Sequence, residues 1–251
     1  MRCVWLGILL GLLIPSLAPA GDATVPTRIR VVSEVWARYT EPDGSGLGWD
    51  LVRAVFGPAG VRVEAHSVPY TRAVGLVQRG EMDAWVGSYA DEVRSGVLYP
   101  RWAYDADQIC ALGLAEQPEV RLDNLGSFHL AWLRGYAYER YLPNLKHYRV
   151  IQRRDGILSM LTLRHADLFI DARPELEDVL VHARDPSAFR VSCLTTLPLY
   201  LGFADTAKGK ALAHLFDRRM EELVASGELR PIFERWHYPY PFQEGAHATT
   251  P

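Results

Sequence analysis

The residue types that most often carry out chemistry are present, but they form no known catalytic or metal-binding pattern. Eight histidines and three cysteines are scattered along the 251 residues without the short spacings of zinc ligands. No nucleophile elbow, phosphate-binding loop, paired-histidine metalloprotease motif or dinucleotide-binding glycine motif occurs. From these residues we predict no catalytic residue, no metal and no cofactor.

Two cysteines, Cys110 and Cys193, follow the first twenty residues of the chain. In an oxidising compartment such a pair can form a disulfide. The alternative is two buried free thiols that pack as small apolar side chains. Their separation along the sequence does not decide between the two, because a disulfide depends on the distance between the Cα atoms in the fold.

The first twenty residues have the organisation of a secretory signal peptide. Arg2 precedes an apolar run over residues 4–13, and residues 16–20 carry the small residues of a cleavage site. The apolar run is shorter than a membrane-spanning helix needs, and an uncleaved membrane helix is the alternative. We therefore expect cleavage after Ala20 and a mature protein in a bacterial periplasm.

The charge balance argues against a nucleic-acid partner. The net charge is −3, and no run rich in Lys or Arg occurs. Lys146, Lys208 and Lys210 are the lysines among 27 basic residues, so arginine is common and a single Arg is a weak sign of a site. The hydrophobic fraction of 49% is sufficient for one large core or two smaller ones.

Strand-like and helix-like segments alternate along the chain. Alternating apolar residues predict strands over residues 28–35 and 61–65, and helical spacing predicts helices over 48–56 and 69–80. A third strand is expected over residues 82–86. This order indicates an α/β fold with a mostly parallel sheet covered by helices.

The same alternation begins again near residue 128. Asp83 and Asp167 hold matching positions relative to the helix before each of them. This echo indicates either two similar lobes that face each other across a cleft or the general likeness of βα units. Residues after 236 have no periodicity, so we expect a frayed tail. The further strands are predicted over residues 128–133, 148–151, 167–170 and 198–203, and the further helices over 136–142, 155–164, 208–226 and 229–236.

Taken in order, these landmarks resemble the bacterial periplasmic solute-binding proteins of family 3, the polar amino-acid type. The resemblance runs from about Arg28 to Trp236. Each segment that carries it is short, and the order of the segments makes it specific for the fold. The segments are GWDL at 48–51, VPY at 68–70, GEMDA at 80–84, RHAD at 164–167, PLYLGFA at 198–204, SGEL at 226–229 and FERW at 233–236.

The resemblance implies a two-lobe, type 2 periplasmic-binding fold with mixed sheets, flanking helices and two hinge crossings. Lobe one would comprise residues 21–110 and 198–251, and lobe two residues 111–197. The crossings would lie at residues 108–114 and 198–203, which brings the two cysteines close together and favours the disulfide. Such proteins bind a small solute in the cleft and close around it by hinge bending.

The resemblance also implies a ligand site. Arg94, seven residues after Gly87, would hold a ligand carboxylate through its planar fork, and Asp171 would receive a ligand ammonium. The alternatives are a solvated Arg and an Asp that caps the helix beginning near Pro174. For Trp36, Tyr39 and Tyr70, packing in the core is the alternative to ligand contact. The other expected ligand-binding residues are Trp36, Tyr39, Tyr70, Gly87, Ser88 and Tyr136.

Two departures from the family pattern bear on the ligand. Asp91 stands where the family has a hydroxyl residue, and Gly135, Tyr136 and Ala137 replace a Gly-Thr-Ser/Thr turn. Both changes remove donors that help to grip an α-carboxylate. An aromatic, larger or more cationic solute is therefore also a candidate for the ligand.

The function implied is binding of an amino acid, or a related zwitterion or organic acid, and its delivery by a monomer to an ABC permease. One alternative is a ligand sensor that serves a separate membrane signalling protein. The other alternative is an enzyme of the same fold, such as a dehydratase of prephenate-like acids. Its acid would be Glu34, Glu41 or Asp171.

Overall fold

The computed structural model describes residues 26–242, which fold into nine strands and six α-helices. The predicted signal peptide and its cleavage site lie outside these residues. Within the described range, no helix is both long enough and apolar enough to cross a membrane. The predicted α/β class, with mixed sheets and flanking helices, is confirmed.

The strands make two half-sheets that share one long strand. Their order is β2-β1-β3-β9-β5-β8-β6-β7, and β4 pairs with β9 at the side. The first half (β1 to β4) and the second half (β6 to β8) contain the parallel pairs, whereas β9 is antiparallel to its neighbours. The strands are β1 (Arg28–Ser33), β2 (Arg62–Ser67), β3 (Ala84–Ser88), β4 (Val97–Leu98), β5 (Asp105–Leu114), β6 (His129–Leu133), β7 (His147–Ile151), β8 (Leu168–Ala172) and β9 (Phe189–Ala204). The helices are α1 (Leu47–Phe56), α2 (Tyr70–Gln78), α3 (Ile157–Thr162), α4 (Arg173–Val181), α5 (Ala207–Ser226) and α6 (Arg230–Trp236).

Strands β5 and β9 connect the two halves. The C-terminal part of β9 pairs with β3 and β4, and the rest of β9 pairs with β5, which in turn pairs with β8. Cys110 and Cys193 face each other across β5 and β9 and form a disulfide, as the resemblance implied. Both strands extend beyond the crossings predicted over residues 108–114 and 198–203.

The prediction of a helix over residues 136–142 is wrong. A single 3-10 turn, Tyr138–Arg140, forms there. Gly135 and Ala137 have φ angles of 99° and 50°, and this left-handed backbone interrupts a right-handed helix before it can start. Tyr138 in this turn and Tyr136 just before it both line the cavity described below.

The expectation of a frayed tail is wrong for residues 238–242. The aromatic side chains of this segment pack against the core. The ring of Tyr238 lies 5.8 Å from that of Tyr39, and the guanidinium of Arg230 lies 4.3 Å from the centre of the Tyr240 ring. Burial of aromatic area thus orders a segment that has no periodicity.

The matching aspartates of the sequence mark one structural motif that the fold uses twice. In the first half, the Arg30 backbone N–H donates to Asp83 Oδ2 at 2.8 Å, and the Asp83 N–H donates to the Arg30 carbonyl. In the second half, the His129 N–H donates to Asp167 Oδ2 at 2.7 Å, and the Asp167 N–H donates to the His129 carbonyl. Each aspartate therefore satisfies a backbone donor of the neighbouring parallel strand.

Helix α5 agrees with the prediction over residues 208–226 to within one residue. Thr206 caps its N-terminus by accepting a hydrogen bond from the Gly209 N–H, and Gly227 follows its end with a φ of 74°. Its buried face places Phe216 with a ring centroid 6.2 Å from that of Phe56 in α1. This packing covers one face of the first half of the sheet.

Candidate ligand-binding cleft

A cavity lies at the carboxyl ends of the parallel strands, between the two halves of the sheet. The space between its walls, together with the solvent-filled opening, has a volume of about 580 Å³. Trp36 follows β1 and Gly87 lies near the end of β3, while Tyr136 follows β6 and Asp171 lies near the end of β8. Open α/β sheets bind ligands at this edge, because the loops there converge on a crevice. The remaining lining residues are Tyr39, Tyr70, Tyr89, Glu92, Asp107, Tyr138, Ala172, Pro174, Glu175, Leu199 and Tyr238.

Aromatic rings form one wall of the cavity. The ring centroid of Tyr70 lies 6.1 Å from that of Trp36 and 5.5 Å from that of Tyr136. Trp36 Nε1 donates to the Tyr136 hydroxyl at 3.1 Å, which links the first half of the fold to the second. A Cβ at Gly87 would lie 2.5 Å from the Trp36 ring, so this wall requires glycine there. The wall offers apolar area and the negative faces of aromatic rings.

Asp171, Glu175 and Arg154 form a buried ionic cluster beside this wall. Asp171 is 1% exposed, and its Oδ2 accepts from Arg154 Nε at 3.1 Å and Nη2 at 3.0 Å. Arg154 Nη2 also lies 3.2 Å from Glu175 Oε2 and donates to the Tyr136 hydroxyl at 3.0 Å. One guanidinium therefore serves two carboxylates, and the cluster carries an excess of negative charge when both are ionised.

Asp107 and Tyr138 have fewer partners than the other polar groups of the cavity. Among the described residues, Asp107 has one side-chain hydrogen bond, donated by the Tyr89 hydroxyl to Oδ2 at 2.9 Å, and no cationic partner. The Tyr138 hydroxyl is buried and makes no hydrogen bond within the described part of the chain. It lies near the Asp171 carboxylate and the Tyr89 hydroxyl without reaching hydrogen-bond geometry to either. Since buried polar groups are nearly always satisfied, this corner is where a polar group of a ligand fits.

Glu92 is, in contrast, well satisfied by its surroundings. Its Oε2 accepts from the Tyr70 hydroxyl at 2.6 Å and from the Ser88 hydroxyl at 3.0 Å. The Tyr89 backbone N–H donates to the same oxygen at 3.4 Å. Glu92 therefore fixes Tyr70 in the aromatic wall.

Burial raises the pKa of several carboxyl groups in and beside the cavity. The pKa is raised to about 7 for Glu92, Asp105 and Asp107. For Glu175 burial raises the pKa to about 8, although Arg154 opposes the effect. Clefts that bind ligands often hold carboxyl groups with such shifts, as do structural networks of charges.

We expect Asp107→Asn to stabilise the ligand-free protein at high pH. The folded-state pKa of Asp107, about 7, lies above the unfolded value of about 4, so the folded protein holds a proton there between these limits. The stability that this proton provides is complete below about pH 4 and is lost as the pH rises through about 7. Removing the carboxylate should raise the free energy of unfolding by on the order of 2 kcal/mol at pH 8 and much less at pH 5. Urea unfolding at both pH values measures the change, and an equal effect at the two would contradict it.

Most of the predicted ligand residues lie at this cavity. Ser88 is buried next to it and bonds Glu92, while Arg94 is exposed and does not line it. Asp91 is also exposed and outside the lining. The structure therefore does not bring Arg94 to Asp171. The predicted residues that line the cavity are Trp36, Tyr39, Tyr70, Gly87, Tyr136 and Asp171.

Sequence analysis missed the other residues of the site, among them Asp107, Tyr138, Arg154, Glu175 and Tyr238. Arg154 had no distinguishing signal among so many arginines. Asp107 had one, because it is a charged residue within a strand that becomes apolar at Ile109. Tyr238 belongs to the segment expected to be frayed.

Comparison with protein-family models and with curated proteins finds no match. Solved structures do match. An amino-acid ABC transporter substrate-binding protein from Streptococcus pneumoniae, bound to L-arginine, is 16% identical with a TM-score of 0.64, over 84% of this chain and 94% of that one. An ancestral amino-acid-binding protein, a precursor of cyclohexadienyl dehydratase, is 16% identical with a TM-score of 0.63, over 84% and 95%.

A histidine kinase sensor domain with similarity to periplasmic binding proteins also matches. It is 15% identical with a TM-score of 0.67, over 84% of this chain and 96% of that one. At these identities the likeness concerns the fold. The chain thus has the type 2 periplasmic-binding fold that the sequence predicted.

Proposed function

We propose that this protein binds a small polar solute in the cleft and delivers it to an ABC transporter. The observation that supports the proposal is a cavity lined by aromatic and carboxylate side chains from both halves of the sheet. Because β5 and β9 carry the chain between the halves, bending of these strands would open and close the cavity. A ligand that touches both halves would favour the closed form, and a membrane partner could recognise that form.

The lobes and the location belong to the same proposal. We assign residues 21–110 and 198–251 to one lobe and residues 111–197 to the other. The protein would act as a monomer in the periplasm after cleavage following Ala20. The solute expected from the resemblance is an amino acid or a related zwitterion or organic acid, and its binding requires neither catalysis nor a cofactor.

A second candidate function is ligand sensing for a membrane kinase. It is favoured by the likeness of the fold to a histidine kinase sensor domain. The two functions differ in the partner that recognises the closed form. Stimulation of ATP hydrolysis by a reconstituted permease would support transport, whereas stimulation of kinase autophosphorylation would support sensing.

Ligand binding is tested with mature protein, residues 21–251, that has been unfolded, stripped of ligand and refolded. A thermal-shift screen covers amino acids, amines and small carboxylates. A ligand present at 100 times its dissociation constant adds about 2.7 kcal/mol to the free energy of unfolding, which raises Tm by a few degrees.

Tyr136→Ala is expected to weaken binding of any ligand found by about tenfold or more, because it removes a ring at the centre of the aromatic wall. The matched control is Tyr148→Ala, since Tyr148 lies on β7 outside the cavity and is 47% exposed. Isothermal titration calorimetry measures both affinities. An equal loss in the two variants, or no ligand in the whole screen, would contradict binding at this cleft.

A further inference from the structure

We propose that the ligand is a small organic cation without a carboxylate, held at its ammonium group by Asp107 and Asp171 and at its body by the tyrosine rings. This inference rests on the proposed function and specifies its substrate class. It departs from the amino acids expected of the fold. Three independent features of the cavity support it: the charge of its lining, the open hydrogen-bond acceptors at one corner, and the aromatic wall.

The charge of the lining is the first feature. Four carboxyl side chains line the cavity: Glu92, Asp107, Asp171 and Glu175. Among the described residues, only Arg154 forms an ion pair with any of these four. That guanidinium is already engaged by Asp171, by Glu175 and by the Tyr136 hydroxyl.

Two other guanidinium groups come near the cavity without pairing with its carboxylates. Arg38 lies 6.0 Å from the centre of the Tyr238 ring. Arg140 donates to the backbone carbonyl of Glu92 at 2.6 Å. A ligand carboxylate would thus enter a cavity with an excess of negative charge and would compete with Asp171 and Glu175 for Arg154, whereas a cation would relieve the excess.

The open acceptors are the second feature. Asp107 Oδ1 accepts no side-chain hydrogen bond from any described residue, since the one such bond to this carboxylate is donated by the Tyr89 hydroxyl to Oδ2. The Tyr138 hydroxyl, with its residue 0% exposed, is likewise without a partner in the described part of the chain. Asp107 and Asp171 are close enough for the negative charge of Asp171 to raise the pKa of Asp107. An ammonium group has three donors and no acceptor, which matches two carboxylates and a hydroxyl oxygen.

The aromatic wall is the third feature. The rings of Trp36, Tyr70 and Tyr136 meet at centroid distances of 5.5 to 6.1 Å, and Tyr89 and Tyr138 lie 6.1 Å apart on the side of Asp107. The faces of such rings attract cations and bury alkyl or aryl groups. A metal ion fits less well, since among the described residues no group of three or more His, Cys, Asp or Glu side chains is arranged to hold one.

The test compares ligands that differ by the α-carboxylate. Agmatine, cadaverine and tyramine are titrated against L-arginine, L-lysine and L-tyrosine, by calorimetry with refolded mature protein at pH 7.5. We expect at least one amine to bind about tenfold or more tightly than its amino acid, because it avoids the repulsion between carboxylates. Amino acids that bind as tightly as or more tightly than their amines would overturn this inference and leave the proposed function standing. If neither series binds, both fail.

A variant locates the ammonium. Asp107→Asn keeps the shape of the side chain and should weaken the amine by about tenfold or more, since it removes an unpaired carboxylate from the contact. Asp123→Asn is the matched control, because Asp123 is 73% exposed and lies outside the cavity. Asp107→Asn is expected to fold at least as stably as the parent, so a loss of affinity cannot be attributed to unfolding. Unchanged amine affinity in Asp107→Asn would overturn the assignment of the ammonium site.

Discussion

Arg154→Gln is expected to lower the free energy of unfolding by about 3–5 kcal/mol at pH 8. Its guanidinium is the cation between two carboxylates, one of which, Asp171, is 1% exposed. Without it, each of the two buried carboxyl groups must either stay charged with no countercharge or take up a proton that the unfolded chain does not hold at this pH. The cost is that of the unpaired charges and not the net worth of the ion pairs.

The loss should be smaller at pH 5 than at pH 8. Burial already raises the pKa of Glu175 to about 8 and raises that of Asp171, and removal of Arg154 takes away the charge that opposes this rise. Lowering the pH therefore favours the protonated, neutral form of both carboxyls in the variant, and a neutral carboxyl costs less to bury. Urea unfolding at the two pH values measures the difference.

Two further variants test the cause of this loss. Arg153→Gln changes the exposed neighbour of Arg154 and should alter stability by less than about 0.5 kcal/mol. Adding Asp171→Asn to Arg154→Gln should restore part of the loss, which gives a coupling energy of about 1–3 kcal/mol between the two groups. Equal losses for the Arg153 and Arg154 variants would show that the cluster does not stabilise the fold.

The fold could be predicted to a large extent because its signals are local and repeated. Apolar alternation and helical spacing depend on neighbouring residues, so the strands of both halves and helix α5 were found within a few residues. The 3-10 turn at Tyr138–Arg140 was missed because left-handed backbone at Ala137, a residue with good helix propensity, has no sequence signal. The ordered tail was missed because its rings are fixed by distant contacts, such as that of Tyr238 with Tyr39.

The site could be predicted only in part, for a physical reason. Residues that end strands at the cleft, such as Trp36, Tyr136 and Asp171, are positioned by the fold and could be inferred from their place in it. The partner of Asp171 could not be inferred in the same way. Arg154 reaches it from a loop before α3, and among so many arginines no pattern in the sequence singles this one out. Tertiary packing decides which charged side chains form a pair, and local patterns in the sequence do not reveal that pairing.

Removal of the Cys110–Cys193 disulfide is expected to lower the free energy of unfolding by about 2–4 kcal/mol. The bond closes a loop of 83 residues that contains the whole second half of the sheet. The crosslink restricts the unfolded chain more than the folded one, because in the folded protein β5 and β9 are already paired from Asp105–Leu199 to Leu114–Phe189. The native cleft should therefore survive the loss of the bond.

The double variant Cys110→Ala/Cys193→Ala tests this expectation. Cys110 is 0% exposed, and alanine is a small apolar residue that can replace it in the core. Cys193 is exposed, so a reductant can reach the disulfide from the surface. Dithiothreitol should lower the urea midpoint of the parent to that of the double variant and leave the double variant unchanged. The affinity for a ligand of the cleft should stay within about threefold in both proteins, since the strand pairing that positions Asp107 persists. If dithiothreitol left the urea midpoint of the parent unchanged, the disulfide would not be stabilising. If ligand affinity fell when the disulfide was removed, the crosslink would set the geometry between the two halves.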